Sequence, residues 1–188
     1  ASQLGAIAVK GSQNLGIPLA DMADVLGEAN AAGKAGGFEL ENMAKDLPAA
    51  MAAGKQSGLT GRDGFRKIVA MMQASVITSG SKDEASRNVE NLLGKINSVD
   101  TSNDFKKQGI DLNSELLKGR ANGMDSVDTF TSLVDRVASK DERYQTLKAR
   151  LATEKDDGAK RETMSSMADI LQEFRNYAGD QTGFDTMR

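Results

Sequence analysis

The chain has 188 residues and a formal net charge of −3, from 24 basic and 27 acidic side chains. It contains no Cys and no His, which removes the usual zinc sites, thiol nucleophiles, Ser-His triads and disulfide frameworks. The two signs of charge are interspersed, so no strong footprint for nucleic acid or an anionic membrane is expected, and the longest apolar runs are far too short to cross a bilayer.

Hydrophobic residues make up 39% of the chain but aromatics only 4%, with no Trp. A core must then be built from Ala, Leu, Ile, Val and Met, which suits close-packed helices better than a β-sandwich. Two prolines, Pro18 and Pro48, leave long helices uninterrupted, and many of the 19 glycines fall where a helix would stop. The expected class is all-α: a bundle or array of about seven short-to-medium helices with short Gly/Ser connectors. The opening Ala1-Ser-Gln-Leu-Gly5 reads as mid-protein sequence, so the chain is expected to be a fragment.

Residues 3–14 carry a weak helical pattern, Leu4, Ile7, Ala8 and Gly11. After Ile17-Pro18, with Pro18 suited to a first helical position, Leu19, Met22, Ala23 and Leu26 form an amphipathic stripe ending at Ala31-Ala-Gly33. A helix from Phe38 carries Leu40, Met43, Ala44, Leu47 and Met51, with a kink or restart expected at Pro48. Gly54 to Gly58 stops it, and Leu59 should plug the core beneath the turn.

Thr60, with Asp63 three residues on, is expected to cap a helix bearing Phe65, Ile68, Val69, Met72 and Val76. Gly80 ends it. Ser81-Lys-Asp-Glu84 is a capping box leading into Ala85, Val89, Leu92, Leu93 and Ile96. From Asn97 to Ser126 the chain is rich in Asn, Ser, Asp and Gly. It reads as an irregular stretch, with a short helix at Phe105 ending at Gly109 and an extended piece over Gly109–Leu112. Helical spacing returns at Val127, Phe130, Leu133, Val134 and Val137. Ser139-Lys-Asp-Glu142 reads as a second capping box before Tyr144, Leu147 and Leu151. Lys155–Gly158 is a turn, and the last helix carries Met164, Met167, Ala168, Leu171 and Phe174 or Arg175, with a frayed tail over Gly179–Arg188. The expected division is 1–97 as an N-terminal helical region, 98–126 as a connector and 127–188 as a C-terminal helical region.

Few residues offer chemistry. Gly33-Lys34 superficially resembles a phosphate loop, but Gly27 is one position too far away and Ala35 stands where Ser or Thr is required. Ser79-Gly-Ser-Lys82 matches Ser-x-x-Lys without its partner motifs, and a helix stop and a cap already explain it. The acidic pairs Asp21 with Asp24 and Asp156 with Asp157 read as solvated faces and turns. Lys106, Lys107, Lys140, Arg143, Lys148 and Arg150 are diluted by nearby acids. Met22, Met43, Met51, Met71, Met72, Met164 and Met167 fall mostly on apolar stripes and read as core. No catalytic, cofactor-binding or metal-binding residue is assigned.

The segments from roughly Leu15 to Leu171 resemble the conserved core region of phage tail tape measure proteins. The resemblance lies in Leu19–Leu26 followed by small residues, Phe38–Ala44, an Ala-rich segment ending in Gly58-Leu-Thr60, the helix from Gly64-Phe65 to Thr78 with its Gly80-Ser81 break, the Gly109-Ile110 step and Val127–Val137. The chain departs from that pattern at Lys82–Val99, where a longer charged helix stands. The resemblance implies a non-enzymatic structural module of a long helical protein, carried by a phage or prophage, around which tail tube subunits polymerise. The partners it implies are tail tube subunits, tail assembly chaperones and tail tip proteins, with self-association in the parent. The place it implies is the virion tail, and the host cytoplasm during assembly. A cytosolic helical adaptor or regulatory domain is the alternative, and an all-α hydrolase using carboxylates a third reading.

Overall fold

The structure, a computed structural model, describes residues 3–177. All regular elements among the described residues are helical: eleven α-helices, one π-helical turn and one 3-10 turn. The all-α expectation holds at the level of class, but eleven helices replace about seven. The chain divides into two compact units, Ala1–Asn97 and Ser98–Arg188.

In the first unit, α1 (Gln3–Lys10) runs into a π-helical turn (Gly11–Leu15), and a 3-10 turn (Leu19–Asp21) leads into α2 (Met22–Gly36). Then come α3 (Leu40–Met43), α4 (Leu47–Gln56), α5 (Gly61–Thr78) and α6 (Lys82–Lys95). The hub is α4, on which α1, the π-helical turn, α5 and α6 all pack. Its Leu47, Ala50 and Met51 are fully buried, together with Ile7, Val25, Phe38, Met43, Ile68, Met72, Ala85, Leu93 and Ile96 from around it. Phe38 is pinned by an amide clamp from α5. Gln73 accepts from the Phe38 N–H at 3.3 Å and donates to its carbonyl at 2.7 Å.

Two stripes are rotated from their expected faces. Ile7 and Gly11 are buried, but Leu4 is 46% exposed. On α2 the inward line is Met22, Val25, Ala29 and Gly33, while Leu19 is 62% exposed and Ala23 lies outside. The 3-10 turn after Pro18 changes the phase before the α-helix begins, and counting from Leu19 carries the wrong phase forward. Pro18 precedes that turn in an extended conformation. Gly33 does not end α2; the helix continues to Gly36 and stops at Gly37, with φ +77°. Gly33 is small because the chain folds back over it: a Cβ there would stand 2.8 Å from the Phe38 carbonyl oxygen.

The helix expected from Phe38 breaks in two, and Pro48 restarts it in the first turn of α4, where a missing N–H costs nothing. At its other end Gly58 (φ +79°) closes a Schellman turn: Gly58 N–H donates to the Lys55 carbonyl at 3.0 Å and Leu59 N–H to the Gly54 carbonyl at 2.9 Å. Leu59 is buried beneath it, as expected. Thr60 occupies the N-cap of α5 without a side-chain cap bond. The left-handed Gly61 (φ +62°) makes the entry, and Asp63 accepts from Arg66 instead. At α6 the cap is as expected at Ser81, whose Oγ accepts from Glu84 N–H at 3.1 Å, though Glu84 reaches back to the N–H of Gly80 rather than that of Ser81.

In the second unit, α7 (Val99–Lys107), α8 (Leu112–Ala121), α9 (Ser126–Ala138), α10 (Glu142–Thr153) and α11 (Asp157–Tyr177) follow one another. The stretch 98–126 is therefore no irregular connector. Its polar residues are caps: Ser98 accepts from Thr101 N–H, Asp111 from Ser114 N–H, and Asp125 from Val127 and Asp128 N–H. Two of its glycines are stops, Gly109 and Gly123 closing Schellman turns like that at Gly58. Gly109–Leu112 is accordingly a stop followed by a cap, not an extended piece. The second capping box also falls. Ser139 closes α9 by donating its N–H to the Asp135 carbonyl, and Asp141 caps α10 through Arg143 N–H at 2.8 Å.

Phe105 and Phe130 pack edge to face, centroids 5.6 Å apart. Ala138, Tyr144 and Ile170 form a core cluster with Leu147, Met167 and Leu171 against it. The side chains of Phe174 and Arg175, and the tail 179–188, lie outside the described residues.

Gly119 of α8 faces Thr129 of α9. A Cβ would collide with Thr129 Oγ1 and stand 3.0 Å from Thr129 Cβ, and Thr129 is held by its bond to the Asp125 carbonyl at 2.9 Å. Gly119→Ala is expected to destabilise the second unit by about 1–3 kcal/mol. Gly27→Ala, where a Cβ meets nothing within 4 Å, should stabilise the first by about 0.5–1 kcal/mol. Urea unfolding of the two variants checks both signs.

Candidate functional surface

The residues singled out for chemistry are dispersed, and most have a structural use. Gly33 is buried inside a helix rather than in a loop, and Lys34 follows it on the exposed side of α2. Ser79 Oγ accepts from Asn88 Nδ2 at 3.1 Å, and Lys82 is the exposed first residue of α6. Asp21 stands at the N-cap of α2 and Asp24 is exposed in its first turn. Asp156 caps α11 through Ala159 N–H at 2.8 Å, while Asp157 takes Lys160 at 3.4 Å. Of the basic residues, Lys107 pairs with Asp104, Lys148 with Asp135, and Arg143 with both Asp141 and Glu173. Met22, Met43, Met51 and Met72 are core, and Met71, Met164 and Met167 are half-buried. Among the described residues no three His, Cys, Asp or Glu side chains gather where they could hold a metal ion, and no helix is long and apolar enough to cross a membrane.

The electrostatics point the same way. The Lys118 hydrogen bond lowers the Glu115 carboxyl, the Arg143 hydrogen bond that of Asp141, and the Lys45 hydrogen bond that of Asp83. These partners favour the ionised form, the opposite of what a general acid needs. Burial pushes the Tyr144 phenol up, with the negative charge of Asp135 adding to it.

One cluster escaped the sequence. Glu28 of α2 takes Arg66 Nε at 2.7 Å and Arg62 Nη2 at 3.0 Å, both from α5, and Arg66 also holds Asp63 at 3.0 Å. Residues 34–38 positions apart leave no local signature in a single sequence. The Arg66 hydrogen bond, ahead of that from Arg62, holds the Glu28 carboxyl down at about 2. Beside it, Val25, Ala29, Ala32, Phe65, Val69 and Ala70 line a groove of about 240 Å³ between α2 and α5. A second hollow of about 530 Å³ is lined by Gln3, Leu4, Leu26, Gly27, Asn30, Leu40, Glu41 and Ala44. Small-molecule sites run about 300–1,000 Å³ with several convergent polar groups. The first hollow is smaller than that, and the second has one charged residue in its lining. What the surface offers is helix faces and these two hollows.

Residues 1–183 match the family model described as phage-related minor tail protein. The chain belongs to that family, and is a fragment of a phage tail tape measure protein. It is 30% identical over 157 residues to a probable tape measure protein of Burkholderia phage BcepMu, a match covering 82% of this chain and 19% of that relative. The chain thus spans about a fifth of the length of the curated relative it matches. No solved structure matches it.

The Glu28 cluster has a definite pH signature. Its folded pKa lies below the ordinary 4.5, so its contribution is present above about 4.5 and is lost as pH falls toward about 2. The gap in melting temperature between the wild-type chain and Glu28→Gln should be widest at neutral pH and close on acidification through that window. Circular dichroism melts at a series of pH values check it.

Proposed function

We propose that this chain is a structural and assembly module of a tape measure protein, helping to set tail length and to scaffold tail tube assembly through protein–protein contacts. It does so with no catalytic, cofactor-binding or metal-binding residues. The observation that carries this reading is family membership over residues 1–183, joined to an all-helical fold most of whose candidate chemical residues are engaged in caps, ion pairs and core. The chemistry of the surface supports it: interspersed, largely paired charges and shallow apolar grooves suit contacts with other helical proteins. The 1–97 and 98–188 units serve as successive modules of the parent, and tail tube subunits, tail assembly chaperones and tail tip proteins are its partners. The parent acts in the virion tail, after assembly in the host cytoplasm.

A length-setting role has a geometric consequence. A helix rises about 1.5 Å per residue, so each deleted residue shortens the tail by at most roughly that amount. In-frame deletions within the parent gene are expected to shorten tails in proportion to the residues removed, read by electron microscopy of purified particles. Tails of unchanged length in an otherwise assembled particle would remove the length-setting role.

A further inference from the structure

Asn122-Gly123 is the single Asn-Gly pair in the chain. It closes α8. Asn122 is the C-cap, with φ −96° and ψ 12°, and Gly123 follows in the left-handed region at φ +77°. Both residues are exposed. Main-chain hydrogen bonds hold the turn. Asn122 N–H donates to the carbonyls of Lys118 at 3.1 Å and Gly119 at 3.0 Å, Gly123 N–H to that of Arg120 at 3.0 Å, and Met124 N–H to that of Gly119 at 2.9 Å.

An asparagine loses its amide most readily before glycine, which has no Cβ to shield its main-chain nitrogen from the preceding side chain. The Gly123 nitrogen, deprotonated by hydroxide, attacks Cγ of Asn122. The N–Cγ bond forms, the Cγ–Nδ2 bond breaks, and Nδ2 takes a proton from water and leaves as ammonia. A five-membered succinimide remains. Water then opens one of its two carbonyls, giving aspartate or isoaspartate. The folded turn opposes ring closure twice. Gly123 N–H is committed to the Arg120 carbonyl. At ψ 12° the Gly123 nitrogen also lies on the side of Asn122's own main-chain nitrogen, whereas the ring needs it on the Cβ side. Turning it there breaks the Gly123 and Met124 bonds. The residue that accepts the Met124 bond, Gly119, is in turn seated against Thr129 of α9, where a Cβ has no room.

We propose that Asn122 is a modification site gated by the end of α8: locked while the turn is closed, it loses its amide to Gly123 when the turn opens. Helix ends open at lower free energy than the whole domain, so the site answers to the seating of α8 on α9. The product does not revert. Aspartate puts a negative charge at the C-terminal end of α8, where the helix dipole disfavours it. Isoaspartate adds a methylene to the main chain, so the Gly123 and Met124 N–H groups no longer reach the Arg120 and Gly119 carbonyls together. An opening of the second unit is thereby recorded in the chain as a permanent chemical change.

The test is peptide mapping by mass spectrometry of the 188-residue chain, kept in mildly alkaline buffer with and without unfolding concentrations of urea. It scores the amide-to-acid mass gain and the isoaspartyl peptide at Asn122. The wild-type rate in buffer is expected at least about tenfold below that in urea. Gly119→Ala should raise the rate in buffer and leave the rate in urea unchanged. Gly27→Ala, in the first unit, should alter neither. Wild-type rates at urea concentrations below the transition should rise before the helical signal falls, which tests the gating even where Gly119→Ala fails to fold. A wild-type chain that loses the amide as fast in buffer as in urea overturns the lock without recourse to any variant. A chain that keeps its Asn122 amide in urea overturns the site. Rates that rise only with global unfolding, or a folded Gly119→Ala chain that matches the wild type in buffer, overturn the gating by α8.

Discussion

Gly54 sits in α4, the helix on which the rest of the first unit packs, and a Cβ there would stand 2.9 Å from Ile68 Cδ1 of α5 and 3.3 Å from Leu59 Cδ1. That close approach is what a core without Trp and with 4% aromatics requires. Small side chains carry little area each, at about 25 cal/mol per Å², so the helices gain enough burial only by coming close. Ala29, Ala44, Ala50 and Ala85 are buried at the contacts for the same reason. Polar groups then close the gaps that shape leaves. Ser57 Oγ donates to the Leu93 carbonyl at 2.7 Å, joining the end of α4 to α6 in the buried interior. In the second unit the same constraint appears at Gly119 against Thr129.

A fold built this way offers shape more than chemistry. Ion pairs such as Lys148–Asp135 and Arg136–Glu115 lie on exposed faces, where water and salt screen them and they contribute little to stability. Their larger effect is to keep the surface near neutral and free of a single-sign field. The Glu115, Asp141 and Asp83 carboxyls are held below the ordinary range by the hydrogen bonds of their basic partners. Such a surface suits a family whose members act as parts of a tail assembly, and the chain is only about a fifth as long as its tape measure relative.

Asp46 at the start of α4 is the exception within this scheme. Pro48 explains it from the backbone outward: the residue that restarts the helix is also the one that leaves its cap without a donor. A local solution to chain entry thereby leaves a buried carboxylate oxygen without a donor.

Helical class, the stops at Gly58 and Gly109, the cap at Ser81, the restart at Pro48 and the plug at Leu59 were all legible in the sequence. Each depends on residues within about five positions, where backbone hydrogen-bonding rules act directly. The same local grammar misled where two uses compete. Ser139 followed by Glu142 has the form of a capping box, but α9 claims Ser139 for its own end, and the polar residues of 98–126 are caps rather than loop. The phase of α2 was set by a 3-10 turn that periodicity does not reveal. Gly33 looked like a stop until the backbone of Phe38–Leu40 was seen to pass across it. The sequence by itself determined the helical class, several of the helix ends and the lack of His and Cys chemistry. Only tertiary structure decided which faces turn inward and that Glu28 meets Arg62 and Arg66. Those depend on contacts between residues more than thirty positions apart, and the pattern of one helix holds no record of which neighbour it will meet.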